Sequence, residues 1–161
     1  MAHSWKKNMP KDIVIGIIVV LGLIVTLIVF KWPQKKTFPE NIGLNINNQD
    51  YYLEVAQDTQ TRTKGLSNRD QVCPNCGMLF VFKSEGIYPF WMKDTKIPLD
   101  MIWVNSKNQI VKIVTALETN STKNYTNSQS AKYVIELNAN EAFKLGLKIG
   151  DTIPISNAEK Q

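Results

Sequence analysis

Short apolar segments separated by polar turns occupy most of residues 42–156, and many of them alternate with the period of a half-buried β-strand. This pattern predicts strands at 44–47, 51–56, 78–82, 90–93, 99–105, 110–117, 131–137 and 151–156. Two short helices complete the pattern, one from Asp58 or Thr59 to Gly65 and one over 139–145. Strands outnumber helices and no βαβ rhythm is visible, which favours a mostly antiparallel sheet.

The segment 99–105 is apolar on both faces of the predicted strand. Met101 and Trp103 point to one side, and Asp100 and Ile102 point to the other. A strand with two apolar faces is buried. Asp100 therefore occupies a position where a carboxylate is costly unless it is paired or hydrogen-bonded.

Residues 13–30 form an apolar run interrupted only by two Gly and one Thr. Eighteen helical residues reach about 27 Å, close to the hydrocarbon thickness of a bilayer. No small-residue cleavage site follows, which favours a retained signal anchor over a cleaved signal peptide. We expect a single-pass membrane protein whose partner along 13–30 is the lipid bilayer. The expected fold class is α+β, mostly antiparallel β, as a small barrel or sandwich with one or two short helices after a single transmembrane helix.

The predicted organisation is a cytoplasmic basic tail (1–12), a transmembrane signal anchor (13–30), a tether (31–41), an extracytoplasmic β-rich domain (42–156) and a tail (157–161). Lys residues are equally frequent on both flanks of the anchor, and the short basic tail favours an extracytoplasmic domain.

Net charge excludes one class of partner. Residues 1–37 carry six Lys and one Asp, whereas residues 38–161 carry thirteen basic and thirteen acidic residues. A nucleic-acid partner requires a basic domain surface, so we predict none. The flanking Lys residues suit anionic lipid head groups instead.

Five motifs follow one another in the domain. They are GLxxR at 65–69, GMLFVF at 77–82, FWMKDTxxPLDM at 90–101, YVIELN at 133–138 and GxxxGD at 146–151. Together they resemble the widespread prokaryotic family catalogued as domain of unknown function 192. The resemblance covers nearly all of 42–156 and implies a compact β-rich fold, often secreted or membrane-anchored, but no established activity. Ser67 and Asp94 depart from the family's usual Met and Asn, and the cysteine pair is not general in it.

Cys73 and Cys76 form a CxxC pair with three possible roles. A structural disulfide is expected outside the membrane. A thioredoxin-like redox role requires a helix after the first Cys, but a β-type run follows. A zinc site lacks a second Cys/His pair, because the only His is His3. Methionines 78, 92 and 101 would offer a soft Cu(I) site, although Met often fills small cores. We predict the disulfide, and no metal or cofactor.

Asp100 and Glu136 both interrupt apolar strands. Two carboxylates that converge in one cavity would permit general acid/base hydrolysis of a glycosidic bond. The alternative is that each is held structurally by Arg62, Arg69, Lys93 or backbone N–H groups. The single His lies in the N-terminal tail and no phosphate-binding loop is present, so we predict no catalytic residue.

Polar residues beside Trp91 predict a ligand-binding rim before the break at Pro98. Trp91 would stack on a sugar or similar ring; the alternative is a half-buried Trp that covers one end of a barrel. The predicted ligand-binding residues are Trp91, Lys93, Asp94, Thr95, Asp100, Arg69 and Glu136. We expect a non-enzymatic ligand-binding or assembly module of the cell envelope, with an envelope protein or carbohydrate as partner. The alternatives are a carboxylate-dependent hydrolase of envelope polysaccharide and a thiol redox or soft-metal protein.

Overall fold

A computed structural model of the chain describes residues 41–155, which belong to the compact unit Phe38–Gln161. The predicted basic tail (1–12), the signal anchor (13–30), all of the tether except Asn41, and the C-terminal tail (157–161) lie outside the described residues. Among residues 41–155, no helix has the length and apolar character needed to cross a membrane.

Six strands form one sheet. The elements in chain order are β1 (Asn41–Ile46), β2 (Gln49–Ala56), α1 (Thr59–Lys64), β3 (Cys76–Gly86), β4 (Leu99–Val104), β5 (Ile110–Val114), β6 (Ala131–Asn138) and α2 (Glu141–Lys144). The strand order is β1-β2-β3-β6-β4-β5, and every neighbouring pair is antiparallel except β2 and β3. The mostly antiparallel sheet and the two short helices are confirmed. The predicted barrel or sandwich is corrected to one open sheet, because β1 and β5 are its edges.

Local sequence signals explain the confirmed elements. Asn47 and Asn48 take positive φ angles of 48° and 67° in the β1–β2 turn, a conformation that Asn tolerates better than most residues. Asp58 begins α1, accepting from the Thr61 N–H at 2.8 Å. Gly65 ends the same helix, as expected of a residue that adopts positive φ readily.

Two predicted strands are wrong. Around 90–93 only an isolated bridge joins Phe90 to Tyr125, because the backbone turns at Asp94, which has a φ of +55°. The segment from 151 makes only a bridge from Thr152 to Gln109. There Pro154 has no N–H to donate, so a ladder cannot continue.

The parallel pair β2–β3 contradicts the expectation that no βαβ unit is present. Its crossover consists of the six-residue α1 and the loop that follows it. A helix of six residues is too short to produce a visible βαβ rhythm in the sequence.

The sheet buries apolar side chains on both faces. One face, which we call the α2 face, carries Leu79, Ile102 and Ile135 and packs against Ala142 of α2. The other face, which we call the Trp103 face, carries a second apolar cluster of Met78, Phe80, Met92, Met101, Trp103 and Val134. All six residues of β4 are buried, as the two apolar faces of the segment predicted.

Candidate functional site

A cleft of about 310 Å³ opens on the Trp103 face. One wall is α1 with the loop that follows it, and the other is the aromatic segment 88–91 together with two rings of β3. We call this space the α1 cleft.

Aromatic rings that hold one another in place form the wall opposite α1. The rings of Phe82 and Tyr88 stack with centroids 3.6 Å apart, and those of Phe80 and Phe90 meet edge to face at 4.9 Å. Trp91 extends this wall and is 50% exposed. Interlocked rings of this kind form a wall that exists before any ligand arrives.

Gly65 brings the helical wall close to the floor of the cleft. A methyl group at its Cα would lie 3.5 Å from Cζ of Phe80 and 3.9 Å from Oε2 of Glu136. The position also has a φ of +50°, which strains residues that carry a Cβ. Gly65 therefore ends α1, and its lack of a side chain keeps the space in front of Glu136 open.

Arg62 lines the cleft and is fixed by backbone groups and a ring. Its Nη1 donates to the carbonyl oxygens of Gln57 at 2.5 Å and Val81 at 3.0 Å. Its guanidinium carbon lies 5.1 Å from the centroid of the Phe82 ring. The charged group is therefore held in one orientation without a carboxylate partner in the described part of the chain.

Glu136 lies on the floor of the cleft. It belongs to β6, where it is opposite Met78 of β3 and Met101 of β4, and it is 5% exposed. Burial raises its pKa from 4.5 to about 8, against an opposing effect of the Arg69 charge. No hydrogen bond contributes to this shift. Within residues 41–155, every fully enclosed side-chain oxygen has a hydrogen-bond partner. Since the Glu136 oxygens have none, they are not fully enclosed and open on the cleft.

Arg69 influences Glu136 from a distance, because it is bound elsewhere. Its Nη1 and Nη2 donate to the two carboxylate oxygens of Glu54 at 2.5 and 2.7 Å. This pairing lowers the pKa of Glu54 and raises that of Arg69. Arg69 is therefore paired with Glu54, and only its longer-range charge acts on Glu136.

Asp100 is not part of the cleft. It is fully buried on the α2 face, where its carboxylate accepts from the N–H groups of Ala116 at 2.8 Å, Asn140 at 3.1 Å and Ala142 at 2.9 Å. Asp100 and Glu136 therefore lie on opposite faces of the sheet, and the idea that they converge in one cavity is wrong. The backbone alternative is confirmed for Asp100: it ties β4 to the start of α2 and to the loop after β5.

The other predicted ligand residues divide between the cleft and its surroundings. Trp91 and Thr95 line the cleft together with Glu136. Lys93 and Asp94 are exposed in a turn outside it. The Lys93 carbonyl accepts from the hydroxyl of Ser67 at 3.2 Å, and the Asp94 carbonyl accepts from the Asn68 N–H at 2.8 Å. Their backbone joins the loop after α1 to the aromatic segment.

The cysteines and methionines that suggested redox or metal chemistry have structural roles in the described residues. Cys73 and Cys76 lie at disulfide-bonding distance, with Cα atoms 5.2 Å apart, just before and at the start of β3. The three methionines are buried in the Trp103-face cluster. Among residues 41–155, no group of three or more His, Cys, Asp and Glu residues is suited to a metal ion.

The sequence interpretation missed Gly65 and most of the aromatic wall. The cleft-lining residues absent from the predicted site include Gly65, Phe80, Phe82, Tyr88 and Phe90. Arg62 was considered only as a partner for a carboxylate. The motifs GLxxR and GMLFVF contained three of these residues, and a shared motif is the only signal that pointed to them.

Comparisons with known proteins agree with this fold. The sequence model of the DUF192 family, described as "Uncharacterized ACR", matches residues 42–155. No curated protein matches the chain. A crystal structure from Sinorhizobium meliloti 1021, described as a candidate transcription regulator, is 33% identical with a TM-score of 0.66, covering 71% of this chain and 91% of that one. A protein of unknown function from Novosphingobium aromaticivorans DSM 12444 is 25% identical with a TM-score of 0.64, covering 70% and 82%.

Proposed function

The chain belongs to the DUF192 family, and we propose that this member is a non-enzymatic binding module of the cell envelope whose α1 cleft holds one carbohydrate ring. The observation that carries the proposal is Glu136, a buried carboxyl group on the floor of an aromatic-lined cleft with no hydrogen bond within residues 41–155. Because the Glu136 oxygens open on the cleft, a ligand hydroxyl seated there can hydrogen-bond to them in place of water.

The walls of the cleft suit the two sides of a sugar ring. The C–H face of a pyranose packs on aromatic rings, and its hydroxyl edge hydrogen-bonds to polar groups. Trp91 and Phe90 supply the first surface, while Glu136, Thr63 and Ser67 line the same space. The hydroxyls of Thr63 and Ser67 donate to backbone carbonyls, so toward a ligand they act as acceptors. A volume of about 310 Å³ lies at the small end of the range for ligand sites, which suits one ring rather than a chain.

A binding role is favoured over hydrolysis because Glu136 is the only carboxyl group that lines the cleft within the described residues. Most glycoside hydrolases need two carboxyl groups on either side of the bond that they cleave. Asp100, the expected partner, is on the opposite face and holds three backbone N–H groups. The envelope location rests on the sequence of residues 13–30 alone.

The description of the Sinorhizobium meliloti protein as a candidate regulator is not carried over to this chain. Residues 41–155 contain twelve Lys and Arg against eleven Asp and Glu. Nucleic-acid binding depends on a concentrated positive surface, and this balance does not provide one.

Saturation-transfer difference NMR with a panel of neutral methyl glycosides tests the proposal. The full chain is kept in a polyoxyethylene detergent, because a detergent with a sugar head group would compete for the cleft. We expect saturation of the ring C–H protons for at least one glycoside. Trp91→Ala should weaken binding about tenfold through the lost stacking surface.

Glu136→Leu separates binding from stability. Leu has a similar volume and no polar atoms, so the fold should be retained while the hydrogen bond to the ligand is lost and binding falls about tenfold. Phe143→Ala is the matched control for Trp91→Ala, because Phe143 is an 83% exposed ring on α2. The proposal is overturned if no glycoside receives saturation, or if Trp91→Ala and Glu136→Leu bind as well as Phe143→Ala.

A further inference from the structure

We propose that the ring held in the α1 cleft is an acidic sugar, whose carboxylate is bound by Arg62. This inference rests on the proposed function and adds the charge of the ligand to it. Arg62 carries the argument, because the structure fixes its side chain without neutralising it.

The two arginines of the chain are treated differently by the fold. Arg69 makes a two-bonded ion pair with Glu54. Within residues 41–155, Arg62 hydrogen-bonds only to carbonyl oxygens, and its Nε and Nη2 make no hydrogen bond. The exposed carboxylate of Asp58, at the start of the same helix, interacts with the Arg62 charge but forms no ion pair with it. A planar guanidinium with a free edge is the group best suited to a carboxylate, which it binds with two parallel hydrogen bonds.

The Arg62 side chain is ordered by contacts within the protein before a ligand binds. Two backbone carbonyls hold Nη1, and the guanidinium carbon lies over the Phe82 ring. Side-chain entropy is therefore lost before a ligand binds, which increases the affinity for an anion that fits. A solvated surface cation would not need these contacts.

The rest of the lining agrees with an anionic ligand. Lys64 lies on the same wall as Arg62, and among residues 41–155 the one acidic residue that lines the cleft is Glu136. Burial keeps Glu136 protonated at neutral pH, since its pKa is raised to about 8. The neutral acid can donate a hydrogen bond to the ligand, so that Arg62 and Lys64 on the α1 wall are the charged groups that line the cleft among residues 41–155.

The aromatic wall distinguishes this ligand from a small inorganic anion. Phosphate or sulfate would satisfy Arg62 but would leave the faces of Phe90 and Trp91 uncovered. A ring that carries one carboxylate covers the aromatic faces and pairs with Arg62 at the same time.

Isothermal titration calorimetry tests the inference with a matched pair of probes, glucuronate and methyl glucoside, and with galacturonate and methyl galactoside as a second stereochemistry. The full chain is used in a polyoxyethylene detergent near neutral pH. We expect at least one uronate to bind about tenfold or more tightly than its neutral counterpart, as a charge-assisted hydrogen-bond pair predicts. This preference should shrink as salt is added, while binding of the neutral sugar should not change.

Arg62→Gln should reduce the preference to about twofold or less, because the amide cannot form the charged pair. Lys64→Gln is the second variant, since it does not disturb the carbonyls that hold Arg62, and it should weaken the uronate several-fold. Lys93→Gln, which removes an exposed cation outside the cleft, is the matched control and should leave the preference intact.

The outcomes separate the two proposals. If neutral sugars and uronates bind equally, or if Arg62→Gln and Lys64→Gln both keep the full preference, the acidic-sugar inference is wrong and the carbohydrate site stands. If neither kind of sugar binds, the carbohydrate proposal itself fails. Phosphate that binds as tightly as the uronates would also overturn the inference, because the aromatic wall would then add nothing.

Discussion

Glu136→Gln should abolish a pH dependence of stability that the wild-type protein has. Burial raises the pKa of Glu136 from 4.5 to about 8 in the folded protein. Between these values the folded state keeps the proton that the unfolded chain releases, so the free energy of unfolding falls as pH rises through this window. At about 1.36 kcal/mol per pH unit, the loss approaches about 5 kcal/mol by pH 8. The amide of Gln does not titrate and has nearly the same shape.

Urea unfolding, followed by tryptophan fluorescence between about pH 5 and 9, measures this effect. Trp91 lines the cleft, and Trp103 packs against Phe90 of the aromatic wall, so unfolding should change the emission of both. The difference between wild type and Glu136→Gln cancels the titration of all other groups. Toward the acid end the stabilities of the two proteins should converge, because the unfolded wild-type side chain there approaches its own pKa of 4.5 and the difference in bound protons between the two states disappears below it. At the alkaline end the variant should be the more stable protein by several kcal/mol.

Glu118→Gln provides the control, since Glu118 is an exposed carboxylate outside the cleft. Its unfolding curve should follow that of the wild type across the whole range. If Glu136→Gln loses stability with rising pH in parallel with the wild type, then Glu136 is already ionised in the folded protein. A neutral acid on the cleft floor would then be ruled out.

Three further substitutions test the structural assignments, each by thermal or urea unfolding. Asp100→Ala leaves three backbone N–H groups without an acceptor and should cost about 3 kcal/mol or more, while any sugar binding to the folded protein is unchanged. Gly77→Ala should cost about 3 kcal/mol, because its Cβ would lie 2.2 Å from the backbone oxygen of Glu136; a stable variant would mean that β3 and β6 pair in another register. Replacing Cys73 and Cys76 together by Ser removes a short cross-link and should cost about 2 kcal/mol without altering binding, whereas lost binding would restore a functional role for the pair.

Much of the sheet could be predicted from short-range patterns. The two apolar faces of 99–105 identified the buried β4, and the polar turn after Ile46 identified the β1–β2 hairpin. The capping residues Asp58 and Gly65 gave the bounds of α1 almost to the residue. These features depend on neighbours in sequence, which is why alternation and capping preferences detect them.

Features that depend on strand register could not be predicted. Alternation shows which neighbours in the same strand share a face with Asp100 or with Glu136, but it does not relate one strand to the other. In the structure Met101 is opposite Glu136, so Asp100, the residue before Met101, points to the other face of the sheet. One residue of register shift would have brought the two carboxylates to the same side. The parallel β2–β3 pair was missed for a similar reason. The crossover helix α1 was predicted, but alternation within a strand does not show whether the strands before and after a helix run parallel.

The cleft was predicted in part. Trp91, Thr95 and Glu136 were among the candidates because a polar residue in an apolar segment is visible in the sequence. The rings of β3 were indistinguishable from ordinary core residues, because an apolar strand looks the same whether its rings face the core or a cavity. Arg62 was noticed as a charge, but its fixation by backbone carbonyls requires the fold.

The most direct test of the carbohydrate site is a map of amide and indole shifts in two-dimensional ¹H–¹⁵N NMR, recorded while a glycoside or uronate is titrated into the full chain. We expect the largest shifts on the amides of Gly65 and Leu66 and on the indole of Trp91, with saturable curves that share one dissociation constant. Shifts concentrated around Phe143 on α2, or no saturable shift in the cleft at all, would contradict it.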